Sequence, residues 1–144
     1  MHKLSLSEPG PAFRPADYMD NREESCDLIA QLGPSHRSRI LAHLVELSED
    51  DRRLRFGHQI SEASMARYVR GIRFFRDAVF GVVDPHGQVL GFAHLALGDD
   101  DAEFALSVSA AARRRGLGLE LLRRAGEHAR NRGHRVMTMV YMPE

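Results

Sequence analysis

Residues 109–126 read SAAARRRGLGLELLRRAG, three arginines and two glycines set directly before a leucine-rich run. Leu117, Leu121, Leu122, Ala125 and Ala129 fall on one stripe of a 3.6-residue period, which predicts a helix. Upstream, AEFALSV at residues 102–108 alternates like a strand, with Phe104, Leu106 and Val108 on one face and Glu103, Ala105 and Ser107 on the other. Downstream, NRGH stops the helix at Gly133, and RVMTMVYM at residues 135–142 is a second extended run. Strand, crossover helix and strand in this order predict a parallel pair with a right-handed connection. The arginines and glycines therefore form the turn between a strand end and a helix start.

Working outward, AVFGVV, the DPHG turn and QVLGFAHLAL predict a β-hairpin over residues 78–97, and GDDD turns the chain into the alternating strand. Three antiparallel strands thus run in sequence as a meander. Before them, Ile40, Leu41, Leu44 and Leu47 give a helical face from Ser35 onward. Ser48, with Asp51 three residues later, predicts the start of a short second helix. Ser61 predicts a third, with a stripe of Met65, Tyr68, Val69 and Ile72. Residues 1–34 hold four of the six prolines and no lasting period, and are expected to form an irregular arm ahead of a domain at 35–144. The fold class is α+β: a mixed sheet built from the meander and a final parallel strand, with helices on both faces.

At 144 residues and 43% hydrophobic, the chain suffices for one domain with its own core. Twenty basic and 20 acidic residues cancel, so no overall field favours nucleic acid or a membrane. Cys26 is the only cysteine, and no apolar stretch approaches the roughly 20 residues of a membrane helix. The expected location is cytoplasmic, without a signal peptide. The eight histidines show no metal-ligand spacing, so no metal is expected; His36 and His43 are seven apart with nothing to complete a ligand set. His94 is expected to be a packed strand residue rather than a base.

The turn carries the chemistry. A helix N-terminus exposes about four unpaired N–H groups and a partial positive charge, a natural place for a phosphate. Gly116 and Gly118 would keep side chains out of an anion's way, and Arg113, Arg114 and Arg115 would add positive charge. Equally, glycine commonly punctuates a loop before a helix, and exposed arginines are commonly just solvated. A Walker loop is excluded because Gly-Lys-Ser/Thr is missing. A Rossmann turn is excluded because Leu121 stands where the third glycine belongs and the preceding strands form a meander.

These residues resemble the GNAT superfamily of acyl-CoA-dependent N-acyltransferases. The family's pyrophosphate turn, Gln/Arg-x-x-Gly-x-Gly/Ala, is matched by Arg113, Arg114, Arg115, Gly116, Leu117 and Gly118, between AEFALSV and LELLRRAGEHARNRGH. LSEDDRRLRF at residues 47–56 resembles the family's early helical segment, and the resemblance spans residues 35–142. It implies acetyl-CoA or a related acyl-CoA as cosubstrate, with its pyrophosphate on the main-chain N–H groups of residues 113–118. The main chain of Leu106, Ser107 and Val108 would hold the pantetheine arm and polarise the thioester. An amine, on a small molecule or a protein lysine, would attack the thioester directly in a ternary complex, leaving Cys26 without a nucleophilic role.

A protonated amine cannot attack, so a base is needed, and Glu103 on the family's central strand is the candidate; otherwise it closes the acidic turn of Asp99, Asp100 and Asp101. The chain stops at Glu144, where the resembled fold continues with a helix and usually two strands, so a C-terminally short domain is expected. Tyr141 is the substitute candidate for protonating the leaving thiolate, against a packing role. The last strand would be a bare sheet edge, to be covered by the N-terminal arm or paired in a homodimer. The alternative to an enzyme is a catalytically inactive CoA-binding or protein-interaction module. Eight arginines and two histidines between residues 113 and 135 raise nucleic-acid binding as a third reading, opposed by the neutral total and the absence of aromatics on that helix.

Overall fold

The alternating segment becomes the third strand from one end of a six-stranded sheet. The computed structural model describes residues 2–5 and 28–139. In chain order these form β1 (His2–Ser5), β2 (Leu28–Gln31), α1 (Arg37–Glu46), α2 (Glu49–Phe56), α3 (Glu62–Arg70), β3 (Ala78–Val83), β4 (Val89–Leu97), β5 (Ala102–Val108), α4 (Leu117–Asn131) and β6 (Val136–Met139). The strand order is β1-β6-β5-β4-β3-β2, with β5 and β6 parallel and every other neighbour antiparallel.

Local signals place the helices. The Ser48 hydroxyl accepts the Asp51 N–H at 3.1 Å and opens α2; the Ser61 hydroxyl accepts the Ser64 N–H at 3.2 Å and opens α3. Arginines tie the helix ends together. Arg52 Nε donates to the Leu47 carbonyl at the end of α1 (3.1 Å), and Arg37 donates to the carbonyls of Val69 (2.7 Å) and Ile72 (3.2 Å) at the end of α3.

The sheet's two faces build two cores. Leu117, Leu121, Ala125 and Ala129 of α4 pack on Phe80, Val82, Ala93, Leu95, Phe104 and Met137. On the opposite face Ile40, Leu44, Met65 and Val69 of α1 and α3 pack on Val79, Val89 and Phe92. Each fully buried large side chain contributes roughly 1.5–3 kcal/mol of transfer free energy, so the two cores hold the layers together. The antiparallel meander, the crossover helix, the final parallel strand and the helices on both faces stand as the sequence predicts.

One expectation is corrected and one alternative is decided. Residues 1–34 are not an irregular arm throughout, because β1 and β2 lie within them and join opposite ends of the sheet. Of the two ways given for covering the edge of β6, the structure shows the N-terminal one. β1 pairs with it antiparallel, His2 opposite Met139 through Ser5 opposite Val136, so this chain covers its own final strand. Removing the first six residues is expected to lower the melting temperature and produce concentration-dependent self-association in sedimentation velocity. Unchanged melting and a monomer at all concentrations would show that β1 does not guard the edge.

Candidate functional site

From the end of β5 the chain passes through a short 3-10 turn, Ala110–Ala112, and enters α4 at Leu117. Gly116 precedes the helix at φ +74°, a left-handed conformation that glycine adopts without steric cost. As a glycine it supplies no side-chain cap to the first turn, the end of a helix whose N–H groups lack intrahelical partners. Arg114 sits at φ +66°, where a residue with a Cβ is strained by about 1 kcal/mol or more.

Two of the turn residues act differently from the sequence reading. Arg113 faces back into the protein: its Nε donates to the Val108 carbonyl at 3.2 Å and its Nη2 pairs with Asp51 Oδ2 of α2 at 2.6 Å. Its side chain braces the turn rather than lending a free charge to an anion. Gly118 likewise does not clear an anion's path. A Cβ there would point at β5, in ordinary contact with Leu106 Cδ2 at 3.4 Å and Val108 Cγ2 at 3.9 Å, which leaves room for a methyl group but not for a larger side chain. Arg114 and Arg115 are exposed, and Arg114 has no partner among the described residues. Leu106 and Val108 are half-buried on the α4 face, and Leu117 is buried beneath it.

The other face of β5 carries polar residues that the sequence did not single out as a group. Buried His43 of α1 lies between two hydroxyls, with Nε2 2.8 Å from Ser107 Oγ and Nδ1 3.1 Å from Ser109 Oγ. Burial lowers its pKa from 6.5 to about 4; hydrogen bonding to backbone at Val89 and Ser107 opposes the shift, and the Arg55 charge adds to it. His43 is therefore neutral at pH 7, with one ring nitrogen to donate and one to accept.

A second polar chain runs beside it. Arg55 Nη2 donates to Tyr68 Oη (2.7 Å), so the Tyr68 hydroxyl donates onward to His94 Nδ1 (2.6 Å), and His94 Nε2–H donates to Asp77 Oδ2 (2.8 Å). Asp77 Oδ1 accepts the Leu97 N–H at 3.2 Å. The Arg55 guanidinium lies 4.7 Å from the Phe56 ring centre and 5.2 Å from that of Tyr68, and its buried Nε has no partner among the described residues. Burial raises the Tyr68 pKa and lowers that of His94. Glu103 is exposed on this same sheet face, opposite Ala96 of β4 and Thr138 of β6, while His94 lies opposite Ala105. Tyr141 and Cys26 lie outside the described residues. Among the described residues no cluster of His, Cys, Asp and Glu could hold a metal, and no helix is long and apolar enough to cross a membrane.

Residues 41–143 match the model of the Acetyltransferase (GNAT) family. The chain belongs to this family. GNAT folds also stand among the most similar solved structures. The GNAT domain of S. lividans PAT superposes with a TM-score of 0.66 at 18% identity, over 85% of this chain and 81% of that one. A Trypanosoma brucei acetyltransferase gives 0.59 at 19%, over 81% and 83%. The aminoglycoside N-acetyltransferase AAC(6')-Iy, solved in complex with CoA, gives 0.61 at 18%, over 83% and 79%. No curated protein matches the chain by sequence.

Two measurements test the site in this GNAT domain. Gly118→Asp buries a carboxylate against Leu106 and Val108, and is expected to lower stability by about 1–3 kcal/mol, whereas Gly118→Ala should keep near-normal melting. Equal melting of the two variants would contradict the close approach of α4 to β5. The pH dependence follows from His43, with its pKa lowered from 6.5 to about 4. The unfolded chain takes up the proton first, so stability is complete above about pH 6.5 and falls as pH drops toward 4. At about 1.4 kcal/mol per unit, roughly 3 kcal/mol is lost across that window, with His94 acting in the same direction. A melting temperature that stays flat from pH 7 to pH 5 would contradict a buried, neutral His43.

Proposed function

We propose that this chain is an acyl-CoA-dependent N-acyltransferase that moves an acetyl group from acetyl-CoA to a primary amine by direct attack in a ternary complex. The observation that carries this reading is the uncapped N-terminus of α4, set at the end of β5 by a braced turn. Such an N-terminus suits an anion, because its N–H groups and the helix dipole both favour negative charge. The main-chain N–H groups of residues 114–118 would hold the pyrophosphate, with the exposed Arg114 and Arg115 nearby; the Arg113 N–H is taken by the Ala110 carbonyl at 3.3 Å. The main chain of Leu106, Ser107 and Val108 would hold the pantetheine arm and polarise the thioester carbonyl. Acetyl-CoA supplies an activated acyl thioester, so no metal and no covalent enzyme intermediate is required.

Glu103 would take the proton that the ammonium must lose before it attacks. Its position supports this role: it is exposed to an incoming acceptor, and it lies on the strand that would hold the thioester. Tyr141 is proposed to protonate the thiolate as the C–S bond breaks, and the second proton that the attacking nitrogen loses as the amide forms restores the Tyr141 hydroxyl, which closes the proton balance. The acceptor is an amine on a small molecule or a protein.

A thermal melt of the purified chain with acetyl-CoA, with dephospho-CoA and ATP as controls, tests the binding half of the reading. Ligand at about 100 times its Kd should add roughly 2.7 kcal/mol, a rise of several degrees for a domain of this size. An amine panel read by free-thiol release tests the transfer half. Glu103→Gln should keep the full melting shift and lose about 100-fold or more in turnover. Wild-type turnover in that variant removes Glu103 from the mechanism, and a melting shift without turnover on any amine favours an inactive CoA-binding module.

A further inference from the structure

We propose that His43 is a positioning residue for the acyl-CoA site: by bridging the hydroxyls of Ser107 and Ser109, it sets the direction in which β5 runs into the anion-binding turn. The inference rests on the acyl-CoA reading and assigns a role within that site to a residue on α1.

The geometry is specific. Ser107 and Ser109 flank Val108, the last residue of β5, and each hydroxyl meets a different nitrogen of one imidazole, at 2.8 and 3.1 Å. A neutral imidazole offers one donor and one acceptor, and a serine hydroxyl can be either, so one ring satisfies both contacts in either tautomer. Both ring nitrogens are thereby partnered in a buried site, where an unpartnered one would be destabilising. The Ser109 N–H also donates to the Leu90 carbonyl at 2.8 Å, so that residue is held through both its backbone and its side chain. The Val108 carbonyl between the two serines accepts from Arg113, itself paired with Asp51. Three consecutive residues are thus held from α1, β4 and α2 immediately before the turn. The polar links do what an apolar contact would not: they fix orientation as well as distance, and orientation decides whether the turn's N–H groups converge on an anion.

The test uses the full chain. Acetyl-CoA affinity by isothermal titration, melting temperature and amide exchange are measured for wild type, His43→Leu, His43→Gln and Ser109→Ala. His43→Leu is expected to weaken acetyl-CoA about tenfold or more and to speed exchange selectively in residues 107–119. His43→Gln, whose carboxamide can both donate and accept, should recover part of the affinity, which a packing role alone would not produce. Wild-type affinity in His43→Leu overturns the proposal. Should His43→Leu fail to fold, Ser109→Ala decides: about threefold weaker binding with faster exchange in that segment supports it, and wild-type values for both overturn it. If the wild-type chain itself does not bind acetyl-CoA, the acyl-CoA reading fails. Amide exchange then judges the positioning role alone, with unchanged protection of residues 107–119 in the variants overturning it.

Discussion

The packing of α4 on β5 is the constraint from which the site follows. Phe104 and Leu121 are fully buried in the core between them, and Gly118 in the first helical turn faces Leu106 and Val108. Close packing of this kind leaves little freedom in where the helix begins. Its open N–H groups are therefore placed at the end of a strand that is itself flanked by β4 and β6. The turn between them is left to satisfy that geometry, and it does so with two left-handed residues, Arg114 and Gly116. Strain at Arg114 is affordable because the elements on both sides are fixed by buried apolar contacts.

The opposite face of the same strand does different work. There the sheet meets α1, α2 and α3 through polar groups sunk among apolar ones: His43 against two serines, and the chain from Arg55 through Tyr68 and His94 to Asp77. Groups of this kind cost free energy unless partnered, and nearly all are partnered; the unmatched Nε of Arg55 is an exception, eased by the aromatic rings around the guanidinium. The exposed pair of Arg113 and Asp51 contributes little stability of its own, on the order of 1 kcal/mol or less. Its value is geometric, since it joins the turn to α2. One strand thus separates an apolar side that sets position from a polar side that sets orientation, and Glu103 lies on the polar side.

What the sequence made legible is what short-range rules encode. The alternation of residues 102–108, the helical stripe from Leu117, and the serine caps at Ser48 and Ser61 each depend on neighbours within a few positions, and each appears where the spacing puts it. The strands β1 and β2 were hidden because each is four residues long without a lasting period. Their extended form depends on partners far along the chain, Val136–Met139 and residues 80–83. Burial of His43 could be read from its place three residues after Ile40, but its serine partners lie 64 and 66 positions away. Nothing local marks Arg55 as the buried arginine among Arg52, Arg53 and Arg55. For Arg113 and Gly118 the sequence placed the residue correctly in the turn but not the direction it faces, which depends on how α2 and β5 approach it.

The most direct measurement is a backbone amide NMR titration of the wild-type chain with acetyl-CoA. Direct capture of the pyrophosphate by main-chain N–H groups should give the largest shifts at residues 113–119, with smaller ones along residues 106–108. Shifts confined to the arginine-rich outer surface of α4, or no shifts at ligand concentrations well above the millimolar range, would contradict an acyl-CoA site at the start of that helix.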